Sequence, residues 1–199
     1  MTNRLLTYAL ILGTVISCQK GPDDPMFSLS TRKARITGEW KVESFSSNIN
    51  GFTEDYNGES ITYSEGDTLS YTRSLEWSFD FAKDGTYHIL RTEEFEDDLT
   101  INQLRFTLEE SEKGIWEFSG GNDSPSKSKL LLLVEEIKSM RSDRGSNVYV
   151  ISYDNPRRAS VFDIVGLSNE ELKISFDETQ AYPGGSANTS ENYTMKKFQ

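Results

Sequence analysis

The chemistry open to this chain is set by an uneven stock of side chains: 32 Asp and Glu, a single histidine, His88, and a single cysteine, Cys18. A zinc site of the Cys/His kind and a His-based catalytic triad both lack their residues. One cysteine forms no intrachain disulfide. His88 falls on the face opposite Tyr87 and Ile89, which makes it a solvent-facing or cross-strand residue and not a ligand. The acidic run Glu93-Glu94-Phe95-Glu96-Asp97-Asp98 has the charge to attract a hard cation such as calcium, but it lacks the spaced loop with a central glycine that a dedicated site uses. A solvated run that protects a sheet edge is the better reading. There is no Gly-x-Ser-x-Gly elbow and no phosphate-binding Gly-Lys-Ser/Thr loop. Acid pairs for glycoside hydrolysis are defined by a separation in space, so no pair is nominated from the sequence. No catalytic residue, metal or cofactor is implied.

The elements that would position any site read as strands. Leu75, Trp77, Phe79 and Phe81 alternate with Glu76, Ser78 and Asp80, the period of a half-buried strand. Lys83-Asp84-Gly85 supplies a turn, and Thr86-Tyr87-His88-Ile89-Leu90 is rich in strand formers for the return. An opening strand is expected over 38–46, after a short helical turn within 26–35 capped by Ser28 or Ser30. The polar stretch 47–72, with weak strand content near Ile61-Thr62-Tyr63, reads as an excursion or flap at one end. Further strands are expected at Leu104–Leu108, Gly114–Phe118, Val148–Tyr153, Ser160–Val165, Leu172–Phe176 and Tyr193–Met195. Lys129–Val134 fits a buried strand with a helical end, although Leu130, Leu133, Val134 and Ile137 also share a helical face. Gly120–Pro125, Asp154-Asn155-Pro156 and Pro183-Gly184-Gly185 are loops by composition. Eight to ten short strands without a long helix imply an all-β barrel or sandwich.

Upstream of the strands lies an address. Arg4 precedes the apolar run Leu5–Leu12, and Val15-Ile16-Ser17-Cys18 follows it. The run is too short to span a bilayer. This order resembles the lipobox of bacterial lipoproteins, which implies cleavage of residues 1–17, lipidation of Cys18 and a tether over 18–34. The alternative is an ordinary signal peptide with an incidental cysteine. Each buried methylene of an acyl chain adds about 0.8 kcal/mol of membrane affinity, so several chains anchor a protein without a transmembrane helix. Gln19 stands where an inner-membrane retention signal typically has Asp, which favours the outer membrane, on its periplasmic or surface-exposed face. Gln19-Lys20-Gly21-Pro22-Asp23-Asp24 resembles the acid-bearing surface-export signals of Bacteroidota, and reads equally as a polar tether. Asp67-Thr68-Leu69 fits the short O-glycosylation pattern of exported proteins of that group. The net charge of −11 repels nucleic acid and anionic lipid surfaces.

Four motifs in order, Gly38-x-Trp40-Lys41-Val42, Phe79-x-Phe81-x-x-Asp84-Gly85-Thr86-Tyr87, Gly114-x-Trp116-x-Phe118 and Leu167-Ser168-Asn169-Glu170-Glu171-Leu172, resemble the lipocalin-like lipoproteins of Bacteroidota. The resemblance implies an up-and-down antiparallel barrel of about eight strands over 35–199, with Gly38 and Trp40 structural at its closed end and Lys196 or Lys197 packed over the Trp40 ring. The second lipocalin signature, Thr-Asp-Tyr, has no good match. Trp77, Phe79, Phe81, Tyr87, Trp116 and Phe118 would line a lumen or fill it as core. Two functions follow. One is a non-enzymatic binding module for a small apolar ligand, or for an envelope protein or glycan through the loops at 47–72 and 177–192. The other is an accessory subunit or enzyme of an envelope polysaccharide system, which requires convergent carboxylates with perturbed titration. A purely structural envelope protein would look the same as a loop-docking one.

Overall fold

The structure is a computed structural model that describes residues 31–66, 69–97, 104–119, 128–144, 146–152, 158–182 and 185–198. Cys18, the leader, most of the tether, Ser28, Ser30, Thr68 and the loops at 120–125 and 153–157 lie outside the described residues. Helix α1 (Arg32–Ile36) is followed by strands β1 (Gly38–Ile49), β2 (Phe52–Tyr56), β3 (Ser60–Glu65), β4 (Leu69–Phe81), β5 (Thr86–Asp97) and β6 (Leu104–Ser119). Then come β7 (Lys129–Arg141), β8 (Ser146–Ser152), β9 (Arg158–Leu167), β10 (Glu171–Tyr182) and β11 (Gly185–Lys197). No described helix is long and apolar enough to cross a membrane.

The chain is an all-β antiparallel barrel, closed by the β6–β7 pairing, with ten strands in the ring and β8 outside it on β7. The ring has ten strands and not about eight because the polar stretch 47–72 is not a flap. Its residues extend β1 to Ile49 and form the hairpin β2–β3, which pairs β1 on one side and β4 on the other. Phe52, Thr53, Tyr56, Ile61, Thr62, Tyr63, Tyr71 and Thr72 give that stretch strand formers despite its polarity. The hairpin is a wedge. Below it β1 pairs directly with β4, Gly38 against Phe81 and Lys41 against Ser78, so a section at that level crosses only eight strands.

The opposite wall shows a similar division. The lower half of β7, Lys129–Val134, pairs β9, and its upper half, Glu136–Arg141, pairs β8. β9 meets β10 only from Asp163 to Leu167. Over Lys129–Val134 the strand reading holds and the helical one fails, with Leu130, Leu132 and Val134 all buried on one sheet face.

The strongest local expectation, the hairpin at 75–90, is present. Ala82 N–H donates to the Thr86 carbonyl at 2.9 Å, and Asp84 Oδ1 accepts from both the Thr86 amide and hydroxyl. Those bonds hold the Asp84 carboxyl below its ordinary range. His88 sits opposite Asp80 and Lys113 in the ladders, half-buried, and burial and then Lys113 push its pKa down.

The lower end is plugged. α1 is capped by Thr31, whose hydroxyl accepts from Ala34 N–H, and it lays Ile36 against the core with no exposed surface. Trp40, fully buried, donates its indole N–H to the Ile36 carbonyl at 2.6 Å. Lys197 is the basic residue over the Trp40 ring, 5.0 Å from its centroid, and it donates to the Arg35 carbonyl at 2.8 Å. Gly38 has φ +121°, which requires glycine there, and a Cβ would also lie 2.9 Å from Lys197 Cε and displace the end of that side chain.

Candidate ligand-binding lumen

On four of the long strands the inward positions run from apolar low to charged high, while β1 and β7 stay apolar at the cavity, with Ile49 and Ile137. On β5 the series climbs from Tyr87 and Ile89 to Arg91 and Glu93. On β6 it runs from Phe118 and Trp116 through Gly114 to Glu112 and Glu110, on β10 from Leu172, Ile174 and Phe176 to Glu178, and on β11 from Met195 and Tyr193 to Glu191. Side chains of a strand alternate between faces, so each charge is delivered to the interior by the same period that delivers the core.

Where the series turns polar, the barrel is hollow. The cavity has a volume of about 750 Å³. Its floor is apolar and aromatic: Phe45, Trp77, Phe79, Leu132, Phe162 and Tyr193. Tyr193 is the hub, with ring centroids 4.6 Å from Phe45, 5.4 Å from Trp77, 5.8 Å from Phe162 and 6.0 Å from Phe79. Trp77 is buried, and its indole N–H has no acceptor among the described residues. The walls carry Glu54, Arg91, Glu110, Glu112, Arg158, Glu178 and Glu191. Arg158, Ala159 and Ser160 face the cavity from β9, and Phe176 and Glu178 face it from β10, along the stretch where those two strands do not pair.

The aromatic residues singled out from sequence divide between the two levels. Trp77 and Phe79 face the cavity. Phe81, Tyr87, Trp116 and Phe118 are not among its lining residues. Phe81, with no exposed surface, stacks on Phe79 at 6.1 Å and meets Trp116 edge-on at 5.8 Å. Trp116 donates its indole N–H to the Ala82 carbonyl at 3.0 Å, and Phe118 packs on Trp116 at 5.6 Å. Tyr87 donates its hydroxyl upward to Glu112 Oε1 at 2.8 Å, and burial raises its pKa. Gly38 and Trp40 lie at the opposite end from the cavity, in the plug described above.

Gly114 marks the level between core and cavity. A Cβ there would come within 2.0 Å of the Leu133 carbonyl oxygen and 2.8 Å of Tyr87 Cε1, at the β6–β7 register shift.

The lumen charges are not equivalent. Glu93, at the top of β5, is buried and salt-bridged to Arg73 at 2.9 Å and Arg91 at 3.4 Å, and it accepts the Tyr63 hydroxyl at 3.1 Å. Arg91 also donates to Tyr63 and lies over the Trp77 ring at 5.2 Å. These groups brace β3, β4 and β5 to one another. Glu54 and Glu191 are held differently. Burial pushes the Glu54 carboxyl up against the opposing pull of Arg91, and the neighbouring Glu191 and Glu93 charges reinforce the rise. Burial also raises Glu191, although it accepts the Tyr193 hydroxyl at 2.9 Å and feels Arg158. Burial is also the largest cause of the raised Tyr193 pKa, with Glu191 next.

The charged ring was absent from the sequence reading, which stopped each alternation at its last apolar residue. Carried two to four residues further, the same parity finds Arg91-x-Glu93 beyond Ile89, Glu110-x-Glu112 before Gly114 and Glu191 before Tyr193. Among the described residues no three His, Cys, Asp or Glu side chains converge closely enough to hold a metal ion. Compared with protein-family models the chain matches none, and a search of the curated proteins finds no match.

Proposed function

We propose that this chain is a lipid-anchored, lipocalin-like binding module of the bacterial cell envelope, and that its upper lumen holds one small amphipathic molecule without transforming it. The observation that carries the reading is the cavity itself. At about 750 Å³ it falls within the range of about 300–1,000 Å³ typical of small-molecule sites, and it has an aromatic floor under polar walls. An apolar body would displace little from the Phe45, Phe79 and Phe162 surfaces, and a polar atom beside Trp77 would satisfy an indole N–H that the protein leaves without an acceptor. A purely apolar ligand fits the walls badly, because it would strand their carboxylates away from water.

The Gly38-x-Trp40 plug with Lys197 over the ring supports the lipocalin-like assignment, and the lipobox-like order ending at Cys18 supports the anchor. Native mass spectrometry of the protein extracted from its own membranes tests the ligand: one extra mass per chain, lost on denaturation, is expected. Cys18→Ala should move the protein to the soluble fraction.

A second reading is favoured by one observation. Glu54 and Glu191 face one cavity, and each is pushed up by burial, a setting that also suits acid–base chemistry on an envelope glycan. Under that reading purified protein would turn over a glycan, and Glu54→Gln or Glu191→Gln would abolish turnover. Under the binding reading there is no turnover to abolish.

A further inference from the structure

Resting on the lumen reading above, we infer that the molecule held is an organic cation: an amine-bearing amphiphile whose apolar body lies on the aromatic floor and whose ammonium group meets the carboxylates of the walls. Five glutamates line the cavity against two arginines. The imbalance is larger in effect than in number. Arg91 is engaged by Tyr63 and lies over the Trp77 ring, and it shares Glu93 with the closer Arg73, so it offsets only part of the acid charge around the cavity. Arg158 is exposed, at the side where β9 and β10 part. Glu178 is exposed at the same side, and what remains facing the cavity is a set of carboxylates on three other strands: Glu54 on β2, Glu110 and Glu112 on β6, and Glu191 on β11.

Their distribution decides which cation. They surround the space and do not converge on a point, and among the described residues no group of three could hold a metal ion. A bare divalent ion needs six or more oxygens at close range, whereas an ammonium group on a bulky body needs one or two carboxylates at hydrogen-bond distance. The floor supplies the other half of the recognition. Phe45, Trp77, Phe79, Phe162 and Tyr193 present ring faces and edges to the same space, and such faces attract cations. An anionic amphiphile would have to enter past more acids than bases, and that like-charge approach costs affinity. Burial is the largest cause of the raised pKa of Glu54 and of Glu191, and an ammonium group bound beside them would oppose that rise.

The test uses three probes with one chain length and different heads: dodecylammonium, 1-dodecanol and dodecanoate, titrated at neutral pH below their aggregation limits by calorimetry. Dodecylammonium should bind at one per chain, at least tenfold tighter than dodecanol and displaceable by it, with dodecanoate weakest. In the double variant Glu54→Gln with Glu191→Gln, the preference for the ammonium head should fall by at least fivefold while dodecanol affinity stays within about twofold. Equal affinities for the three heads, or dodecanoate as the tightest, would overturn the charge assignment and leave the lumen reading standing. Ammonium binding that is multiple and not displaced by dodecanol would be adsorption to the acidic surface, and would also overturn it. Binding of none of the three would remove both readings. The ranking on the wild-type protein decides the question even if the double variant fails to fold.

Discussion

The lower and upper halves of this barrel are built from the same strands, and they differ in what the strands carry inward and in how many of them there are. Eight strands cross the lower level, and their inward residues, among them Trp40, Phe81, Leu130, Leu172 and Met195, leave no exposed surface. That number is just wide enough for side chains to fill. Above it the β2–β3 wedge separates β1 from β4, and the wall lengthens. Barrel diameter grows roughly linearly with strand number, so the same side chains no longer meet in the middle. At this level Glu and Arg join the inward residues, beside Ile49, Ile89 and Ile137. The comparison teaches that the hollow goes with the inserted hairpin and is lined by charges, while the fold is held by the filled end.

That contrast can be broken most severely from below. Trp40→Ala removes a fully buried ring, its bond to Ile36 and the surface under Lys197, and should cost about 3–5 kcal/mol in denaturant unfolding. Gly114→Ala, at the boundary between the halves, drives a methyl group into the Leu133 carbonyl and should cost about 3 kcal/mol, at the top of the range for overpacking. By contrast Phe176→Ala, on the cavity wall and only partly buried, enlarges a space that already exists and should cost about 1–2 kcal/mol, the transfer cost of a half-exposed ring. A loss as large as that of Trp40→Ala would mean the upper half is packed after all.

The smallest effect has the opposite sign. Glu191 has its folded-state pKa raised above the ordinary 4.5, so the folded chain binds its proton more readily than the unfolded chain. Stability from this group therefore rises as pH falls through the folded pKa towards 4.5, and is lost above it. Glu54, raised as well, acts in the same direction. Glu191→Gln should raise the thermal midpoint slightly at pH 7 and flatten its rise between pH 7 and 5, as followed by circular dichroism. A lower midpoint at pH 7 would show that the Tyr193 bond, and not burial, dominates at that position.

How much of this was readable beforehand follows from what each residue answers to. Phe79, Phe81, Asp84 and Tyr87 answer to local rules, strand period and turn chemistry, and the hairpin they form was legible. Trp40 was legible as a plug, and Lys197 over Lys196 follows from carrying Tyr193-x-Met195 two residues on, since the register shift between Val42 and Ser44 leaves the parity of β11 unbroken. The β2–β3 hairpin was hidden by its composition: Glu54, Asp55, Ser60 and Ser64 look like loop residues until their pairing with β1 and β4 is known. The lumen charges were hidden by a different assumption, that an inward residue is apolar. Glu112 and Glu191 obey the alternation and violate the polarity, which is a mark of an interior with a use.

The most direct test of the account is whether the upper barrel accepts one guest. Energy transfer from tryptophan to the neutral fluorophore N-phenyl-1-naphthylamine should saturate at one probe per chain, because Trp77 forms part of the cavity floor and Trp40 lies in the plug at the other end. The variant Ser160→Phe, which places a ring at the side where β9 and β10 part, should lower that affinity at least tenfold without lowering the thermal midpoint. Transfer that never saturates, or a variant that binds as well as the wild type, would contradict a ligand-binding lumen.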